Sequence, residues 1–141
     1  MRRDLANRIN LKPAIQPVVV TDNTPQASAI IDTAGYESLT FAIETGTLAD
    51  ADATFAVTME HGDDAALADT AAPAATDLIG TTALASFTFA ADGACRKIGY
   101  IGTKRYVRMT ITPSNNTGNA PLAAIAILGD AKSRPTANPP A

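Results

Sequence analysis

The chain has 141 residues, a formal net charge of −3 and a sequence pI near 4.9, the length of one domain with room for a core and a poor balance for general nucleic-acid binding. Hydrophobic residues make up 46%, yet much of that is Ala, with three Tyr, four Phe and no Trp, so a thin core of Val, Ile, Leu and Phe filled out by small side chains is expected. Cys95 is the only cysteine, which excludes an internal disulfide, and no apolar run approaches the roughly 18 residues that span a bilayer.

Residues 1–16 read as a polar arm carrying Arg2, Arg3, Arg8 and Lys12, closed by Pro13 and Pro17. The arm either frays, as polar termini do, or orders on a partner, with Arg2 and Arg3 finding acidic groups. Charge without a following apolar stretch, since Asn7, Arg8 and Asn10 interrupt, argues against a secretory signal.

Strand signals begin at Val18-Val19-Val20-Thr21, β-branched throughout and stopped by Asp22-Asn23-Thr24-Pro25. Ser28 to Asp32 follows, with a turn at Thr33-Ala34-Gly35. From Ser38 to Glu44 the pattern alternates, with Leu39, Phe41 and Ile43 expected inward, and from Thr54 to Glu60 Phe55, Val57 and Met59 repeat it. Residues 62–77 read as a long surface loop. Leu78-Ile79 and Leu84 to Phe89 return to strand, with Phe87 and Phe89 expected inward. Asp92-Gly93 is a hairpin turn signal. Leu122 to Leu128 is the last strand, with Ile125 and Ile127 on one face, and residues 130–141 form a loose tail.

Lys97 to Thr112 reads as two strands joined by a tight turn at Gly102-Thr103-Lys104. Val107, Met109 and Ile111 share one face of the second strand and Tyr106, Arg108, Thr110 and Thr112 the other, the period a half-buried sheet demands. With Arg96, this stretch holds five of the eleven basic residues, whereas the segment from Pro13 to Cys95 has twelve acidic residues and no Lys or Arg. Charge is thus laid out in blocks. About eight short strands with no long helix favour an all-β antiparallel sandwich or jelly roll over residues 17–129, between the arm and the tail.

Catalytic and cofactor signals are weak. His61-Gly62-Asp63-Asp64 places two carboxylates near the only histidine, but a structural zinc site needs about four ligands, and the cluster reads as a solvated turn. Asp50-Ala51-Asp52 begins like a calcium loop but lacks its later glycine and glutamate. Gly99-Tyr100-Ile101-Gly102 sits between strands rather than between the two helices of an RNA-clamping loop. Cys95 reads as a half-buried structural thiol. Tyr and Arg together on the basic stretch suit a protein interface more than base stacking in a chain this acidic. No cofactor and no enzymatic activity are expected.

The sequence resembles a family of small head decoration, or cement, proteins of tailed bacteriophages and prophages. The marks are Met1-Arg2-Arg3-Asp4-Leu5, the run from Ile31 to Leu39, the run from Thr45 to Asp52, Arg96 to Gly102 with Lys104 to Arg108, and Asn116-Thr117-Gly118-Asn119. The resemblance implies a jelly-roll-like virion protein, made in the host bacterial cytoplasm, that sits on the outer capsid surface and oligomerises over joints between major capsid proteins. A dimer is preferred and a trimer is the alternative, with no direct nucleic-acid or membrane partner. Arg2, Arg3, Arg8, Lys104, Arg105, Tyr106 and Arg108 are the expected contacts with the capsid or a neighbouring subunit. A tail or head–tail joining subunit, and a module that binds host-surface carbohydrate, are the rival readings.

Overall fold

The computed structural model describes residues 3–140. It contains ten strands: β1 (Asn10–Val20), β2 (Gln26–Ala27), β3 (Ile31–Asp32), β4 (Tyr36–Thr45), β5 (Thr54–Gly62), β6 (Leu78–Ile79), β7 (Phe87–Thr88), β8 (Cys95–Tyr100), β9 (Tyr106–Ser114) and β10 (Ala120–Ala131). Helix among the described residues is confined to two 3-10 turns, Ala6–Arg8 and Ala75–Asp77, and one α-helical turn, α1 (Thr82–Ala85). The strands form two antiparallel sheets packed face to face. The first runs β1-β10-β4-β8-β6 and the second β2-β9-β5-β7, with β3 also on β9.

The pairing is nested. β1 pairs with β10, β2 and β3 with β9, β4 with β8, and β5 with β7. First pairs with last and so on inward, and every connection except that from β2 to β3 crosses between the sheets. This is a jelly roll. The nesting corrects the expected hairpin at residues 97–112. Both strands exist, but β8 pairs with β4 and β9 with β5, so Gly102-Thr103-Lys104 carries the chain from one sheet to the other. Asp92-Gly93 does the same between β7 and β8. Alternation identifies the buried face of a strand, not its neighbour.

The core lies between the sheets. Val107, Met109 and Ile111 are buried with Leu39, Phe41, Ile43, Phe55, Val57 and Phe87, and the Phe55 and Phe87 rings stack at 4.9 Å. Three sequence-based assignments shift. The segment from Leu84 is not strand at its start: the Thr81 hydroxyl accepts the Leu84 N–H at 3.0 Å and caps the α1 turn. Phe89 lies beyond the end of β7 and is 41% exposed. On β10, Ile125 and Ile127 do share a face, but the buried one carries Ala120, Leu122, Ala124, Ala126 and Leu128. Both sides of that strand are apolar, so its alternation has no readable phase.

β1 begins at Asn10, not Val18, so residues 10–16 belong to the sheet rather than to an arm. Pro13 and Pro17 are tolerated because β1 is an edge strand, and its register slips between Pro13 and Ile15 and again between Ile15 and Val18. Ahead of it the Asp4 carboxylate accepts the Asn7 N–H at 3.1 Å and its side-chain amide at 2.7 Å. The residues after β10 fold back on this turn. The Thr136 hydroxyl donates to Ile9 O at 2.7 Å and the Thr136 N–H to Asn7 O at 3.1 Å.

Candidate functional site

The cations expected to contact a partner are largely answered by carboxylates of the same chain. Lys104 Nζ lies 2.6 Å from Asp63 Oδ2. Arg105 forks onto Asp32 through Nε and Nη2, both at 2.8 Å, and its guanidinium stands 5.1 Å from the Tyr106 ring centre. Arg108 donates to Glu60, which faces it directly across the β5–β9 pair. The blocks of charge seen along the sequence therefore interleave in space. The fold brings Lys104, Arg105, Tyr106 and Arg108 together at one end of the second sheet. Arg3 is exposed and Arg8 half-buried on the turn before β1. Arg2 lies outside the described residues.

These pairs carry electrostatic signatures. The hydrogen bond from Lys104 holds the Asp63 carboxyl below the ordinary aspartate range and raises the Lys104 ammonium in return. The hydrogen bond from Arg105 lowers Asp32 against a smaller opposing effect of burial. Arg105 is raised above its already high value. All these groups are substantially exposed, so each pair contributes little to stability.

Behind Lys104 sits a polar knot the sequence did not announce. The Tyr100 hydroxyl accepts the Lys104 N–H at 3.1 Å and lies 2.8 Å from His61 Nδ1. The imidazole tautomer sets which of the two, Tyr100 hydroxyl or His61 Nδ1, donates in this bond. Burial pushes the Tyr100 phenol above its usual value. Asp69 accepts the N–H groups of Asp63 and Asp64 and closes the loop after β5. The His61 cluster thus fastens the 62–77 loop to the crossing at residues 101–105. Asp50, the other acidic candidate, accepts both the N–H and the hydroxyl of Thr117 at 2.8 Å. Among the described residues no group of three His, Cys, Asp or Glu is arranged to hold a metal ion.

The outer faces of the two sheets differ. Outward from the second sheet stand Thr54, Thr58, Thr110, Thr112 and the Glu60–Arg108 pair, a face rich in hydroxyls. Outward from the first sheet stand three rows read from its register: Leu11, Ile127, Thr40, Gly99 and Ile79; Pro13, Ile125, Ala42 and Lys97; and Ala123, Glu44 and Cys95. Cys95 is exposed there rather than half-buried. Pro121 and Val19 extend this face into a shallow apolar groove of ≈ 410 Å³ beside Glu44 and Gly46. Sequence reasoning missed the face because the alternation on β10 was ambiguous.

No protein-family model matches the chain, and no curated protein does. Solved structures match by shape. The PBSX exported protein XepA aligns with a TM-score of 0.54 at 10% identity, over 87% of this chain and 38% of that one. A chain from the capsid of Ralstonia phage GP4 aligns with a TM-score of 0.51 at 9% identity, over 94% of this chain and 91% of that one. The CBM22-1-GH10 modules of a Clostridium thermocellum xylanase, complexed with xylohexaose, align with a TM-score of 0.50 at 10% identity, over 91% of this chain and 27% of that one. The chain spans little more than a third of XepA and about a quarter of the xylanase chain. At these identities the likeness is one of fold.

Proposed function

We propose that this chain is a structural protein of a bacteriophage virion that coats the outer surface of the head, binds the major capsid protein as a homo-oligomer and cements the joints of the shell. The observation that carries the reading is a jelly roll alike, over nearly the whole of both chains, to one from a phage capsid. The sequence resemblance to head decoration proteins adds to it. A cement protein needs complementary surface and many repeated contacts rather than an active site, and binding only the assembled shell stabilises that shell by mass action. The protein acts without a catalytic centre, in the virion.

Carbohydrate binding is the rival that the likeness to the xylanase modules raises. An aromatic platform would favour it, but Phe41, Phe55, Phe87 and Tyr100 are buried, Tyr106 lies beside Arg105, and half-buried Tyr36 on β4 and exposed Phe89 next to β7 lie at different sheets. The apolar outer face of the first sheet is aliphatic. Purified heads decide between the readings. On the cement reading the protein co-purifies with them in amounts comparable to the major capsid protein and cryo-electron microscopy finds it over the whole shell. Confinement to the tail or neck, or absence from particles together with retention on a xylan column, would overturn it.

A further inference from the structure

The outer face of the first sheet leaves aliphatic side chains exposed, and we propose that it is covered by a second copy of the same chain, sheet against sheet about a two-fold axis. This goes beyond the cement reading, which specifies no face. Three observations carry it.

The first is the closing of other routes. Edge strands are the usual way for sheets to join, but β1 carries Pro13 and Pro17 and two register slips, while β6, β2, β3 and β7 are two residues each. The stretches of β5 and β8 that these short strands leave unpaired are covered by α1 and the residue that ends it, Ser86, whose hydroxyl accepts the Val57 N–H at 2.9 Å.

The second is size and chemistry. Strands about 4.8 Å apart, rising about 3.3 Å per residue, give the four long strands a footprint on the order of 500–700 Å². Side-chain relief brings this toward the roughly 800 Å² that each partner contributes to a standard interface. Apolar residues populate it throughout. Ile125 in the middle row is 46% exposed, Leu11 40% and Ile79, at the rim, 61%, so large aliphatic side chains stand in water on this face.

The third is charge. Lys97 and Glu44 are the two charged side chains in the three rows, and neither belongs to an ion pair with another described residue. One charge of each sign makes the face complementary to itself, as an isologous interface requires. A two-fold axis running across the strands, between the Glu44 row and the Lys97 row, exchanges those rows. Glu44 of each copy then lies over Ala42 of the other, one strand from its Lys97, so two symmetry-related ion pairs close on either side of the axis, beside Ile125 and Ala123.

Sedimentation equilibrium on the full chain, in the absence of heads, tests the proposal. The wild type should behave as a dimer of the 14.5 kDa chain. Ile125→Asp places a carboxylate in the middle of the face without touching the core, and should weaken association about a hundredfold or more while the circular dichroism spectrum stays unchanged. Glu44→Lys should weaken it about tenfold, and Glu44→Lys with Lys97→Glu should restore it. The exposed Cys95 thiol gives an independent reading, since its alkylation should slow as protein concentration rises. A wild type that stays monomeric at every concentration, or a dimer indifferent to Ile125→Asp, would overturn the proposal. Because no heads are present, either result leaves the cement reading to its own test.

Discussion

Gly102 sits where a side chain has no room. A Cβ there would fall 2.5 Å from the Tyr100 hydroxyl oxygen and 2.6 Å from the ring carbon that bears it. Gly102→Ala should therefore push the phenol off His61 Nδ1 and the Lys104 N–H, and cost about 1–3 kcal/mol. Thermal denaturation and the His61 ring resonances would check it; unchanged values of both would mean that the crossing relaxes freely. The ion pairs at the same end set an acid dependence. Asp32 and Asp63 titrate below the ordinary aspartate value in the folded chain. Their contribution is therefore fully present above about pH 3.9 and is lost as pH falls through the lowered folded values. An Asp32→Asn, Asp63→Asn double variant should melt slightly lower than wild type at neutral pH, with the gap closing below about pH 4. A gap that persists in acid would point to lost packing instead. None of these partnerships was legible in the sequence. Asp32 and Arg105 are 73 residues apart, and a block of like charge along a chain says nothing about what lies opposite it in space.

At the scale of elements, legibility followed the contrast between the two sides of a strand. β4, β5 and β9 alternate large apolar residues with polar ones, and each buries the face that the alternation implies. β10 alternates Ala and Leu with Ile and Ala, so its outer face went unseen, and with it the surface best suited to a partner. Among the two-residue strands, β6 falls where Leu78-Ile79 was expected, β3 and β7 fall inside longer expected strands, and β2 was not foreseen, since so short an element has no period to read. β2 and β3 show what holds such fragments in place. Between them, buried Ser28 donates its N–H to Met109 O at 2.7 Å, accepts the Met109 N–H on its hydroxyl at 3.0 Å and donates that hydroxyl to Ala29 O at 2.8 Å. The side chain replaces a missing strand bond. Ser28→Ala should leave the Met109 N–H buried and unpaired and destabilise by about 1–3 kcal/mol. Urea denaturation with an unchanged m-value would register this as a shift of the midpoint alone. A shift below about 0.5 kcal/mol, the level of surface substitutions, would mean that water takes the hydroxyl's place.

Over the whole molecule, the expected antiparallel sandwich or jelly roll is what forms, but which strand pairs with which was beyond reach, because nested pairing depends on contacts between the two ends of the chain. That pairing also redraws what the N-terminal segment can do. Since β1 starts at Asn10, a truncation meant to test anchoring should remove residues 1–9 and no more. The trimmed chain keeps every strand and loses the backbone acceptors of Thr136, so its melting temperature should drop only modestly. On heads, the cement reading assigns this segment an electrostatic contact with acidic capsid surface. Lys104, Arg105 and Arg108 already hold carboxylates of their own chain, so neutralising Arg105 and Arg108 should lower stability only slightly and leave head occupancy nearly unchanged. Removing residues 1–9 should instead lower head occupancy. Salt screens exposed charges over a decay length of about 10 Å at 0.1 M, shorter as salt rises, so the truncated and full-length proteins should differ most in head occupancy at low ionic strength and converge as salt rises. Equal occupancy of the two across the whole series would leave residues 1–9 without an anchoring role and assign the cementing to apolar surface alone.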